Sequence, residues 1–173
     1  MDCVVCVCDS AWCNIGVIPN AHFSISPEAA NAAPGAFVVI DTNIALDLLV
    51  FEDPAWGPLT VRLAAGELHW LASAAMRTEL ERVLGYPLIA RRMAQRGLEA
   101  PAVLADFDAR VRMVEGTPPR APCVCSDPDD QVFIDLAVAH GALLLSKDRA
   151  VLSMRKRLAA RGVAVSPAFQ TAR

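Results

Sequence analysis

Four acidic residues, Asp41, Glu79, Asp130 and Asp148, have the types and settings from which a metal-dependent site can be built. Asp41 ends the β-branched run Phe37-Val-Val-Ile40, and Asp148 lies just past the apolar run Ala142–Leu145. Asp130 belongs to an acidic group with Asp127 and Asp129 at a helix start, and Glu79 lies at the edge of a helix's apolar face, where Glu81 points further outward. If the four converge, their repulsion costs stability unless a cation neutralises them or some protons stay on. Oxygen ligands favour Mg²⁺ or Mn²⁺ over zinc. Magnesium typically keeps several waters and uses one or two carboxylates directly, which leaves room for a substrate phosphate. Each acid also has a plain reading, because surface carboxylates are mostly solvated and Asp at a strand end is often a turn or cap residue. Asp127 reads as the cap of its helix, and Asp135 reads as exposed.

The elements that must position these acids alternate between strand and helix. Phe37–Ile40 reads as a strand buried on both faces, followed by apolar helical spacing from Thr42 to Phe51 and a second helix from Pro58 to Ala65, stopped by Gly66. Glu67–Leu71 reads as a strand, and Ser73 caps a helix through Leu84 that ends at Gly85. Helices are expected at Leu88–Gln95 and Pro101–Arg110, then a strand at Val111–Val114. A proline-bearing loop, Gly116–Asp127, leads into a helix at Asp129–His140 with Gly141 as its stop. Ala142–Leu145 reads as a strand. A helix carrying Arg155, Lys156 and Arg157 follows, then Gly162 and a last strand at Val163–Val165. Such alternation implies an α/β fold, a central parallel sheet flanked by helices on both faces, in which ligands bind outside the carboxyl ends of the strands. Asp41 and Asp148 both fall at such ends.

A chain of 173 residues with net charge −3 suits one domain and carries no blanket nucleic-acid-coating charge. Its apolar runs are too short for a bilayer, so no membrane association is expected. Residues 1–35 lack a sustained period and read as a poorly ordered extension, leaving 36–170 as the domain. That start also lacks a basic then apolar signal pattern, so a cytoplasmic protein is expected. The six cysteines then read as free thiols. Cys3, Cys6, Cys8, Cys123 and Cys125 lack the paired spacing of a zinc site, and His22, His69 and His140 are given no metal role.

Val39-Ile40-Asp41-Thr42-Asn43, Thr78-Glu79-Leu80, Asp127-Pro-Asp-Asp130-Gln-Val-Phe-Ile-Asp-Leu-Ala137 and Leu145-Ser146-Lys147-Asp148 stand in this order. In order and spacing they resemble the PIN-domain nucleases, in particular the branch that supplies toxins of toxin–antitoxin pairs. The resemblance spans about residues 36 to 170 and implies a PIN-like α/β/α sandwich. It implies that Asp41, Glu79, Asp130 and Asp148 are the four acidic ligands, with Thr42 or Asn43 and Ser146 orienting ligands or waters. Ser146-Lys147-Asp148 departs from the family's frequent Thr-x-Asp or Gly-Asp but keeps the hydroxyl.

The implied activity is Mg²⁺- or Mn²⁺-dependent hydrolysis of RNA, in which Glu79 either completes the metal shell or receives a proton from water. The implied partners are an RNA substrate, a cognate antitoxin and a second copy of the chain in a homodimer. An acidic pocket repels RNA, so basic groups must grip the strand around it, and Arg82, Arg91, Arg92, Arg96, Arg149, Arg155, Lys156 and Arg157 are available. Two rival readings stand beside this one. A catalytically silent RNA- or protein-binding module is opposed by the presence of all four acids. A small-molecule phosphohydrolase with Asp41 as nucleophile is opposed by Asn43, where a second Asp would be wanted.

Overall fold

The computed structural model describes residues 35–169. Among them, five parallel strands form one sheet in the order β3-β2-β1-β4-β5, with β1 at Ala36–Ile40, β2 at Leu68–Ser73, β3 at Val111–Val114, β4 at Leu143–Leu145 and β5 at Val165–Ser166. Successive strand residues face opposite sides of a sheet. The unbroken burial of Val38-Val39-Ile40 and of Leu143-Leu144-Leu145 therefore requires cover on both faces. The helices supply it, giving the α/β/α arrangement expected from the alternation. Each fully buried aliphatic side chain in these strands contributes roughly 1.5–3 kcal/mol.

From β1 the chain builds outward through β2 to β3, then returns to place β4 on the other side of β1. The order reverses between β1 and β4, so a crevice opens at their carboxyl ends. Helix α1 (Thr42–Leu46) leaves β1 directly, and α3 (Ala74–Leu84) leaves β2, capped by the Ser73 hydroxyl. Helix α6 (Gln131–His140) packs on β1, β2 and β4 and ends at Gly141, whose φ of 58° suits glycine. The remaining helices are α2 (Gly57–Ala64), α4 (Pro87–Gln95), α5 (Ala100–Arg110), α7 (Arg149–Ser153) and α8 (Arg155–Ala159).

Several boundaries differ from the sequence reading. The helix expected at Thr42–Phe51 changes at Asp47 into a π turn, Asp47–Phe51, that closes at Glu52 with a φ of 49°. Widened turns of this kind are frequent near functional sites. One expected C-terminal helix is two short ones, because the chain turns at Met154, and the last strand lies at Val165–Ser166 rather than Val163–Val165. Asp127 does not cap α6. Its Oδ1 accepts the Asp129 N–H (3.0 Å) in a local turn, and Asp130 stands at the cap position without a capping side-chain bond.

Asp135 is not exposed either. It is half-buried and accepts the Ala121 N–H (2.8 Å) and the Gln131 Nε2–H (2.6 Å), pinning the proline-bearing loop to α6. His140 is exposed and meets the Phe37 ring edge-on. Cys123 and Cys125 are buried free thiols. The expectations for residues 1–34, including the other four cysteines and His22, lie outside the described residues. Among the described residues, no helix is long and apolar enough to cross a membrane.

Candidate active site

The crevice between β1 and β4 is stitched together by Asp41. Its backbone N–H donates to the Leu145 carbonyl (2.9 Å), extending the β1–β4 pairing by one residue. Its carboxylate, almost fully buried, accepts the Asn43 N–H (3.3 Å) on Oδ1 and the Ser146 hydroxyl (2.6 Å) on Oδ2. The Ser146 Oγ in turn accepts the Asp148 N–H (3.0 Å), and the Asp148 Oδ1 caps α7 by accepting the Ala150 N–H (2.6 Å). A serine hydroxyl thus couples the two strand-end acids. Asn43 contributes its backbone and leaves its side chain exposed.

Glu79 arrives from α3. It is half-buried, whereas Glu81 is exposed, and its Oε1 accepts the Thr42 hydroxyl (3.2 Å) from α1. Burial raises its pKa above the ordinary carboxylate value. The Thr42 bond opposes that rise, and the Asp41 charge adds to it while Arg82 offsets part. Asp41 is raised for the same leading reason, burial, with the Ser146 and Asn43 bonds opposing and the Asp148 charge adding.

Asp130 is the least satisfied of the four. Its Oδ2 is buried without a hydrogen-bond partner, which is costly in a low-dielectric setting. Burial first, then the charges of Asp148, Asp41 and Asp127, push its pKa up to about 7. Its carboxyl and that of Asp148 are near enough to hydrogen-bond, which requires one of the two to be protonated and to donate. The four acids are therefore one electrostatic neighbourhood: Asp41 feels Asp148, Glu79 feels Asp41, and Asp130 feels both strand-end acids.

Among the described residues, no three His, Cys, Asp or Glu side chains are drawn tightly enough together to form a ready-made ion cage. The donor set still suits a hard divalent cation. It is all oxygen, and Asp130, with a pKa pushed up to about 7 and a buried oxygen without a partner, is a carboxyl whose ionised form a cation would favour. An ion that keeps most of its waters needs only one or two direct carboxylates.

Residues 37–150, about two thirds of the chain, match the family model described as PIN domain. The chain belongs to the PIN-domain family. Among solved structures, the crystal structure of VapBC2 from Rickettsia felis bound to a DNA fragment from their promoter aligns with a TM-score of 0.51. That alignment has 12% identity and covers 75% of this chain and 97% of that one, so the likeness concerns the fold. No curated protein matches the chain.

Two features of this PIN domain were hidden from sequence reasoning. Lys147, adjacent to Asp148, is turned toward Asp47 of the π turn and lies 5.4 Å from the Trp56 ring centroid, while the Trp56 Nε1–H donates to the same Asp47 carboxylate (3.2 Å). The signal was an aspartate inside the apolar run Ile44–Phe51, where a bare charge is out of place. The second is an open groove of about 340 Å³ between α3 and the start of α6, lined by Glu79, Arg82 and Asp129 among others. A larger hollow of about 410 Å³, bordered by Leu48, Val61 and Arg110, contains none of the four acids.

Proposed function

We propose that this PIN domain is a divalent-metal-dependent endoribonuclease, cytoplasmic, and the toxin of a toxin–antitoxin pair. The observation that carries the reading is Asp130: a half-buried carboxyl whose buried Oδ2 has no hydrogen-bond partner, within electrostatic reach of Asp148 and Asp41 at the reversal point of the sheet. A group so arranged is unfavourable for a protein that binds nothing there. The VapBC2 assembly, crystallised on DNA from its own promoter, supports a cognate antitoxin for this chain.

Asp41, Asp130 and Asp148 would hold Mg²⁺ or Mn²⁺, directly or through water. When bound, such an ion acidifies a coordinated water and stabilises charge on a scissile phosphate. Around it, Ser146 fixes the Asp41 carboxylate and the Asp148 backbone in register. Thr42 holds Glu79 by one oxygen, leaving the other to accept a proton, and burial raises its pKa in the direction that makes it a stronger base.

The test is incubation of purified protein, and of an Asp41→Asn variant, with a mixed pool of single-stranded RNAs in Mg²⁺, in Mn²⁺ and in EDTA. Cleavage by the wild type alone, abolished by EDTA, is the expected result. RNA left intact under every condition would overturn the enzymatic reading in favour of a silent binding module.

A further inference from the structure

The acidic crevice repels the substrate proposed above, so some basic surface continuous with it must guide the strand. The open groove between α3 and α6 begins at Glu79 and Asp129, and Arg82 follows one turn along α3 on the same face as Ala75, Thr78 and Glu79. Of the other cations, Arg77 is engaged with Asp108, Arg96 with Glu52 and Lys147 with Asp47, and the exposed Arg149 beside Asp148 does not line this groove. Arg82 makes no ion pair among the described residues. Its guanidinium instead lies 5.9 Å from the ring centroid of Tyr86, the single tyrosine of the chain.

Tyr86 stands between α3 and α4 at φ −68° and ψ 138°. Pro87 restricts it to such extended backbone. Tyr86 is 45% exposed, unusual for a large aromatic residue. Seven residues of near-helical chain separate Glu79 from Tyr86, on the order of 10 Å. A phosphate-binding fork with an exposed ring beyond it is the combination that grips single-stranded nucleic acid, whereas neither reads the groove edges of a duplex.

Resting on the nuclease reading, we infer that single-stranded RNA runs along the α3–α6 groove, with Arg82 holding a phosphate beside the cleavage site and Tyr86 stacking a base further along.

The experiment measures anisotropy of a fluorescein-labelled oligouridylate on full-length protein in an Asp41→Asn background, with Mg²⁺ and over a range of salt. Tyr86→Ala should weaken binding roughly 5- to 150-fold, with Tyr86→Phe restoring it. Arg82→Gln should reduce the slope of log affinity against log salt by about 0.7, the share of one single-strand phosphate. Arg161→Gln, an exposed arginine outside the groove, should do neither. If the wild type cleaves RNA while Arg82 and Tyr86 variants bind it unchanged, the groove assignment fails and the nuclease reading stands. If binding depends on both residues but no cleavage occurs, the groove stands and the catalytic reading falls. Absence of all RNA binding overturns both.

Discussion

Helix α6 and its N-terminal cap position carry two aspartates, five positions apart, with opposite fates. Asp135 has its hydrogen bonds satisfied by the Ala121 N–H and the Gln131 amide, and Gln131 itself bridges the Cys123 carbonyl (3.1 Å) and the Cys125 N–H (2.8 Å). Asp130, at the head of the same helix, keeps a buried oxygen without a partner and a pKa near 7. The difference separates structure from function. The first carboxylate closes a network that ties a proline-bearing loop to the helix, and the second is left electrostatically unsatisfied beside two other acids. Buried polar groups are nearly always paired; among the described residues the Asp130 Oδ2 shares its unpaired state with the Trp70 Nε1, but it alone stands among other acids, where the proposed reading sets a cation.

Exchanging the two roles is the sharpest way to break this contrast. Asp130→Asn removes a ligand and should lower Mg²⁺-dependent RNA cleavage by about 100- to 1,000-fold, the scale of several kcal/mol of lost transition-state stabilisation, while leaving the fold intact. Steady-state cleavage rates and circular dichroism check both halves. Ser146→Ala comes next. It frees the Asp41 Oδ2 and removes the acceptor of the Asp148 N–H, and should weaken apparent metal affinity about 10- to 100-fold, read from the metal dependence of cleavage.

Asp135→Ala should act through stability instead. The buried Ala121 N–H and the Gln131 amide would lose their acceptor, at a cost of about 1–3 kcal/mol in urea unfolding, with cleavage per folded molecule unchanged. A folded but inactive Asp135→Ala protein would invert the comparison.

The pH dependence of stability is the mildest effect. Asp130 has a native pKa near 7, above the unfolded carboxylate value, so between about pH 4 and pH 7 the native state retains a proton that the unfolded chain has lost. Asp41 and Glu79 shift in the same direction. In EDTA, the unfolding free energy should therefore fall as pH rises through this window. The trend should flatten in Asp130→Asn and in saturating Mg²⁺.

The strands and most helices could be read from the sequence because their signals are local: a doubly buried β-branched run at Phe37–Ile40, the Ser73 cap, and the Gly141 stop. The two strand-end acids could be located for the same reason, since a strand's carboxyl end fixes which crevice its next residue enters. What could not be read depends on contacts distant in sequence. Asp135 looked like a solvent-facing position until a loop fourteen residues earlier folded back onto it. Asp127 looked like a cap, but the local turn to Asp129 claimed its side chain. The π turn at Asp47–Phe51 leaves no periodicity of its own, and Lys147 reaches Asp47 from a hundred residues away.

The central claim, that Asp130 and its neighbours await a divalent cation, is most directly tested by calorimetric titration of Mn²⁺ near pH 7 into wild-type, Asp130→Asn and Asp135→Ala proteins. Wild type and Asp135→Ala should bind with displacement of protons, seen as a heat that varies with buffer ionisation enthalpy, and Asp130→Asn should lose most of that binding. Equal Mn²⁺ binding by wild type and Asp130→Asn, or none by the wild type, would contradict it.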